Sequence, residues 1–215
     1  MKVLIVDRYA ADVATQLKNN YGCDVQIAAG LQPTAQELST CEILLIRSRT
    51  LVDKTLFDSS PHLKLIVTAT AGFDHIKIKQ IPSHVRVAHT PEANTESAAE
   101  LTLLFLLALA RGLPATQTVM RARKWKDQLS SSRNLKGQHV GLLGFGRIGQ
   151  RVAEIIRPLG AHVAAYDPYQ SESAFKRFDV ERLGLTELFT QSDFLSLHVP
   201  LTKETHHIIR RSTIE

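Results

Sequence analysis

His139-Val140-Gly141-Leu142-Leu143-Gly144-Phe145-Gly146-Arg147-Ile148-Gly149 is the stretch that decides the fold of this 215-residue chain. Val140–Leu143 is a short apolar run, and Gly144, Gly146 and Gly149 follow it in G-x-G-x-x-G spacing. Arg147 to about Leu159 reads as a helix. A second apolar run, Ala161–Tyr166, ends on Asp167, 18 residues past the last glycine. Strand, glycine turn, helix, strand and terminal acid together form a dinucleotide-binding fingerprint, whereas the glycine triplet alone is a weak signal.

Each part has a physical task. Gly144 permits a tight turn, Gly146 lets backbone approach a pyrophosphate, and Gly149 lets the helix pack close to the strand. The helix N-terminus directs N–H groups and a positive dipole end at the phosphates. Arg147 stands beside that point. Asp167 sits where a carboxylate accepts ribose hydroxyls and repels a 2′-phosphate, which favours NAD over NADP. The competing reading is a glycine turn that binds nothing.

The rest of the chain sets the context. Its length suits one large or two small domains, with a formal charge of +5. Cys23 and Cys41 match neither a metal spacing nor a disulfide framework, so a reducing, cytoplasmic setting is expected. No metal site is expected. Asp7 comes too early for a signal peptide. Leu101–Ala110, between Glu100 and Arg111, is too short to span a bilayer and fits a buried helix. Cations gather at Arg121, Arg123, Lys124 and Lys126 around Trp125, with Arg133 and Lys136 nearby. A solvated helix end explains them better than a nucleic-acid surface, because no binding motif accompanies them.

Strands are expected at Lys2–Asp7, Asp24–Ala28, Glu42–Ile46, Leu63–Thr68 and Val85–Ala88. They alternate with helices at Ala10–Tyr21, Pro33–Ser39 and Asp53–Phe57, a rhythm that argues for a parallel sheet covered on both faces. Ile76–Gln80 is short and ambiguous. A long helix is expected from Asn94 to Arg123, with Asn94, Thr95 or Ser97 as its cap, Ser97-x-x-Glu100 in capping-box form, and Gly112 and Pro114 breaking or kinking it. Ser130 to Asn134 reads as a polar loop, Leu185–Thr190 as a helix and Asp193–Val199 as a strand; Ala174–Arg177 stays ambiguous. The fold class is therefore α/β. A flavodoxin-like unit over residues 1–93 precedes a partial Rossmann unit over residues 94–215, with about three of six strands.

The chain resembles the D-isomer-specific 2-hydroxyacid dehydrogenases, of the D-3-phosphoglycerate dehydrogenase kind, over nearly its whole length. The resemblance rests on Leu45–Thr50, Thr70–His75, Asn94 with Ala99-Glu100, Val140–Gly149, Tyr166-Asp167-Pro168, and Ser192-Asp193 with His198–Thr202 and Thr205, in that order. It implies hydride transfer between NAD and a small 2-hydroxy acid, giving a 2-oxo acid. It implies that the Ala71-Gly72 turn offers N–H groups to a substrate carboxylate, with Ala71 also near the nicotinamide. Arg47 would reach a phosphorylated or otherwise anionic tail; a surface or interdomain ion pair is the equal alternative. Arg147 and Ile148 would meet the pyrophosphate, Asp167 the ribose, and Val199 and Pro200 the cofactor cleft. A homodimer is implied as well. His75, His198, His206 and His207 read as packing or hydrogen-bonding residues.

The family's Arg, acid and His trio has no match here. The Arg lies in an Asn-x-x-Arg-Gly segment, and Arg210-Arg211 lack the glycine that would follow. The trio would lie after Glu215, so no catalytic residue is assigned. Truncation of an enzyme lineage, a non-catalytic NAD-binding or interaction protein, and exchange between chains all stay open. With three strands, the first Rossmann strand, Val140–Leu143, is expected to carry a bare edge, a liability for pairing.

Overall fold

The computed structural model describes residues 1–124 and 132–214. Trp125 and Lys126 of the basic stretch, Ser130 and Ser131 of the polar loop, and Glu215 lie outside the described residues. The chain divides into two units, Met1–Asn94 and Thr95–Glu215.

The first unit is a five-stranded parallel sheet: β1 (Lys2–Ile5), β2 (Asp24–Ile27), β3 (Ile43–Ile46), β4 (Leu65–Thr68) and β5 (Arg86–His89), in the order β2-β1-β3-β4-β5. That is the flavodoxin-like strand order, whose switch point lies between β1 and β3. The central strands β1, β3 and β4 are nearly continuous apolar runs because both sheet faces are covered. Leu4, Leu44, Ile46 and Ile66 fill one side with Leu38, Leu56 and Leu63, and Val3, Ile5 and Leu45 fill the other. The helices α1 (Val13–Tyr21), α2 (Ala35–Leu38) and α3 (Lys54–Asp58) connect β1 to β4. Gly22 ends α1 in a left-handed conformation and returns its N–H to the carbonyls of Leu17 and Lys18. Thr34 and Glu37 form a capping box on α2, and the Asp53 carboxylate caps α3. Ile78–Gln80 is a single 3-10 turn.

The expected long helix is two. The segment α4 (Thr95–Ala110) ends before Gly112, whose φ of 59° suits glycine, and α5 (Leu113–Arg121) begins with Pro114 in its first turn. The pair bends by 62°. None of the described helices alone is long and apolar enough to cross a membrane. Because α4 starts at Thr95, the Ser97–Glu100 pair lies within its first turns and is not a capping box.

The reading of Leu101–Ala110 as buried needs correction. Ala99, Leu106 and Ala110 face the core, with Leu103 packed beside it, while Leu101, Leu104, Phe105 and Leu109 are half or more exposed. An apolar composition cannot say which face meets a partner; the 3.6-residue period turns only one stripe toward α6.

The second sheet holds β6 (His139–Leu143), β7 (His162–Tyr166), β8 (Glu181–Arg182) and β9 (Phe194–Leu197), all parallel, in the order β8-β7-β6-β9. Among the described residues it therefore has four strands, one more than the expected three or so. The added strand, β8, is two polar residues joined to β7 through Ala164 and Ala165. The expected bare edge on Val140–Leu143 is wrong, because β6 lies between β7 and β9 and pairs with Phe194–Leu197. The helices α6 (Arg147–Ile156), α7 (Glu172–Phe178) and α8 (Leu185–Gln191) link these strands, and a 3-10 turn, Arg157–Leu159, extends α6. Val152, Ala153 and Ile156 of α6 join Val140, Leu142, Phe145 and Phe175 in one core. Two hydrogen bonds of 2.7 Å from the Arg151 guanidinium to Glu96 tie α6 to the start of α4.

Candidate functional site

The three fingerprint glycines do different work. Gly144 has φ +97°, and a Cβ there would stand 2.6 Å from the His198 carbonyl oxygen and 2.9 Å from Val199 Cγ1. Only glycine lets the turn pass under the end of β9. A Cβ on Gly149 would press into the Gly144 carbonyl oxygen, so this glycine sets the approach of α6 to the turn. Gly146 is the opposite case. Its φ is ordinary and a Cβ would meet nothing within 4 Å. Neither strain nor protein packing needs a glycine there; the vacant side is where a ligand can approach backbone.

Gly146 is also the N-cap of α6 and has no side chain to satisfy the first turn. Arg147, Ile148 and Gly149 follow as the first three helical residues, with Arg147 exposed and Ile148 half-buried. Helix dipole and N–H groups therefore favour an anion at this point.

Asp167 stands just past β7. Its Oδ2 accepts the Phe145 N–H at 2.9 Å and its Oδ1 accepts the Tyr169 N–H at 2.9 Å. These two bonds fix the carboxylate beside the glycine turn. A carboxylate offers about four acceptor positions, so two remain for the vicinal hydroxyls of a ribose. Val199, half-buried, and Pro200, exposed, follow β9, and Val199 lies against Gly144. The structure thus gathers Gly144, Gly146, Gly149, Asp167 and Val199 at the carboxyl ends of β6, β7 and β9, where open α/β sheets bind ligands. These residues fit a dinucleotide.

His198 stays out of this chemistry. Its Nε2 lies 3.0 Å from Ser196 Oγ, and burial depresses its pKa to about 4, so the ring is neutral at pH 7. The His206 and His207 rings lie against each other, centroids 3.9 Å apart and tilted by 31°. Among the described residues no group of three or more His, Cys, Asp or Glu side chains is placed to hold a metal ion.

The first unit has its own hollow, of about 410 Å³, at the carboxyl ends of β3 and β4. Arg47, Ala71 and Gly72, the residues expected to meet substrate, all line it, together with Thr70, Asp74 and His75. Arg47 is exposed and its Nη1 donates to the Arg8 carbonyl at 3.3 Å. The neighbouring Arg49 is committed to Asp7, whose carboxyl is held below the usual range chiefly by that guanidinium bond. Asp7 itself adopts φ 73°, a left-handed turn out of β1 in place of a glycine. Among the described residues the N–H groups of Gly72 and Phe73 donate no hydrogen bond within the chain. The sequence placed Thr70 and Asp74 in a motif without giving either an individual role, and left His75 to packing or a hydrogen bond, the second of which it makes with Thr68. Their signal, polar residues around an Ala-Gly turn, is visible only once the strand ends converge.

Comparison with known proteins follows the same lines. Residues 103–215 match the model described as "D-isomer specific 2-hydroxyacid dehydrogenase, NAD binding domain". The chain is 35% identical over 217 aligned residues to D-3-phosphoglycerate dehydrogenase of Mycobacterium tuberculosis, which covers 99% of this chain and 40% of that protein. It is 37% identical to hydroxypyruvate reductase of Thermotoga maritima over 80% of this chain and 56% of that protein. The chain thus spans about half or less of the length of these relatives. Among solved structures it superposes on a D-lactate dehydrogenase from Aquifex aeolicus, complexed with NAD and lactic acid, with a TM-score of 0.87 and 31% identity. That match covers 98% of this chain and 64% of that one. The family model covers more than half of the chain and names NAD as the cofactor of the domain it describes; the chain belongs to the D-isomer-specific 2-hydroxyacid dehydrogenase family.

Proposed function

We propose that the chain carries the cofactor site and the substrate-binding turn of an NAD-dependent dehydrogenase acting on a small 2-hydroxy acid. Residues 94–215 form the NAD side and residues 1–93 the substrate side. The observation that carries this reading is the uncapped start of α6, with open space at Gly146 and the Asp167 carboxylate beside it. Bound NAD supplies the hydride chemistry. The protein's part is to bind and orient. N–H groups at Gly146–Gly149 meet the pyrophosphate, with Arg147 and Ile148 flanking it. Asp167 takes the ribose hydroxyls, and Val199 and Pro200 shape the wall.

On the substrate side, the Gly72 and Phe73 N–H groups donate to the carboxylate, and Arg47 donates to an anionic tail. Arg47 sharing a hollow with Ala71 and Gly72 favours a phosphorylated or otherwise anionic 2-hydroxy acid. The family's Asn-x-x-Arg-Gly segment is not among these 215 residues, so we assign no proton-transfer residue and expect little or no turnover from this chain by itself. The exposed stripe Leu101, Leu104, Phe105 and Leu109 on α4 fits a second copy of the chain, giving a homodimer. Two free, buried cysteines suit the cytoplasm.

Calorimetric titration with NAD, alongside an assay with NADH and a panel of 2-oxo acids, tests the reading. Binding of NAD without turnover is expected. An absence of NAD binding at millimolar concentration refutes the cofactor site, and robust turnover refutes the catalytic assignment.

A further inference from the structure

Four groups beside the Ala71-Gly72 turn form a string. His75 Nε2 lies 3.0 Å from Thr68 Oγ1, Thr68 Oγ1 lies 2.7 Å from Thr70 Oγ1, and Thr70 Oγ1 lies 2.6 Å from the Gly72 carbonyl oxygen. Proton counting gives the string a direction. A carbonyl oxygen only accepts, so the Thr70 hydroxyl donates to Gly72. Its single proton is then used, so Thr70 accepts from Thr68. The Thr68 proton is used in turn, so Thr68 accepts from His75. The His75 ring therefore carries its proton on Nε2. Thr68 is fully buried, and partial burial lowers the pKa of His75, with Asp74 opposing that shift. On the adjoining peptide, His89 Nδ1 donates to the Ala71 carbonyl at 3.1 Å, and the Phe73 ring packs edge-on against His89.

Both peptides of the turn thus have their carbonyls held from the protein side. In a trans peptide the N–H points opposite to the C=O. Fixing the Ala71 and Gly72 carbonyls therefore aims the Gly72 and Phe73 N–H groups the other way, and among the described residues neither of them donates a hydrogen bond within the chain.

We infer that the string His75–Thr68–Thr70, with His89 as a second support, is a positioning device that orients the Ala71-Gly72 turn so that its N–H groups face a ligand carboxylate. Thr70 and His89 act on the carbonyl oxygens of the turn, and Thr68 and His75 act through the Thr70 hydroxyl. The ligand half of this inference rests on the carboxylate-binding role proposed above; the orienting half does not. Aligned hydroxyls polarise one another, so removing a middle member disturbs the whole string.

The test uses the 215-residue chain and nitrogen-15 NMR. In the parent protein His75 is expected as the Nε2–H tautomer, a measurement that needs no variant. Thr68→Val keeps shape and removes the hydroxyl. It is expected to release His75 into mixed tautomers and to shift the Gly72 and Phe73 amide signals. It should also weaken binding of D-glycerate, followed at those amides, by about tenfold. Thr68→Ser restores all three, and NAD affinity stays unchanged throughout. An Nδ1–H tautomer in the parent, or a Thr68→Val spectrum with unmoved Gly72 and Phe73 amides, overturns the string. Turn amides that ignore D-glycerate in a parent showing the expected tautomer uphold the orienting role and overturn the carboxylate role.

Discussion

Replacing the three fingerprint glycines by alanine, one at a time, separates packing from ligand binding. At Gly146 the new methyl meets nothing within 4 Å and the backbone is unstrained, so stability should move by no more than about 0.5 kcal/mol. The same methyl occupies the side from which a pyrophosphate approaches, so NAD affinity should fall at least roughly tenfold, about 1.4 kcal/mol. At Gly144 the methyl would lie 2.6 Å from the His198 oxygen, 0.8 Å short of the 3.4 Å at which ordinary contact begins. That oxygen cannot withdraw freely, because the His198 N–H is bonded to the Leu143 carbonyl at 2.7 Å. Left-handed strain of about 1 kcal/mol and overpacking of about 2 kcal/mol give a loss near 3 kcal/mol. At Gly149, alanine gains about 1 kcal/mol of helix propensity, which the collision with the Gly144 carbonyl exceeds; a net loss of about 1–2 kcal/mol is expected. Urea unfolding measures the stabilities and calorimetry the NAD affinities. A Gly146→Ala chain that binds NAD like the parent, or a Gly149→Ala chain as stable as the parent, refutes the division of labour.

Three further outcomes are expected. Asp167→Ala should lower NAD affinity by roughly tenfold and narrow the preference for NAD over NADP, read by parallel titrations with both cofactors. His198 is held neutral by burial, with its pKa near 4 against 6.5 in the unfolded chain, so the unfolded state takes up the extra proton between those values. Stability should therefore fall by about 3 kcal/mol as pH drops from 6.5 to 4, and His198→Gln should flatten that part of the urea-midpoint profile. Phe105→Lys, on the exposed stripe of α4, should give a monomer by light scattering with the unfolding midpoint of a monomer unchanged; a dimer that persists removes the stripe from the interface.

Features carried by a local pattern were legible in the sequence. A run such as Val140–Leu143 followed by glycines has one structural reading, and Asp167 follows from its distance to them. Gly112 and Pro114 likewise announce a break, because backbone sterics act within a turn. What stayed hidden depends on neighbours remote in sequence. Glu181-Arg182 has neither apolar content nor length to mark it as a strand, and becomes one only where α7 delivers it to Ala164–Ala165. Missing it put Phe194–Leu197 in third place and left Val140–Leu143 with an edge it does not have. The stripe on α4 failed for another reason: Leu101 to Leu109 is apolar at every position but Thr102, so composition carries little direction. Arg47 could be joined to Ala71-Gly72 only by resemblance, and Thr68 to His75 not at all.

Asp167 has a consequence for how such a protein can change its cofactor by mutation. The carboxylate that would select the ribose also holds the Phe145 N–H at 2.9 Å, within a turn whose Phe145 side chain is fully buried. A residue that welcomes a 2′-phosphate but cannot accept that bond strands the amide, at about 1–3 kcal/mol. Cofactor preference and loop integrity are therefore bound to one side chain. Single-step routes to the phosphorylated cofactor pass through a weakened fold. The accessible path runs through a prior change that secures the Phe145 amide, which makes the order of mutations, and not only their identity, the determinant of the switch.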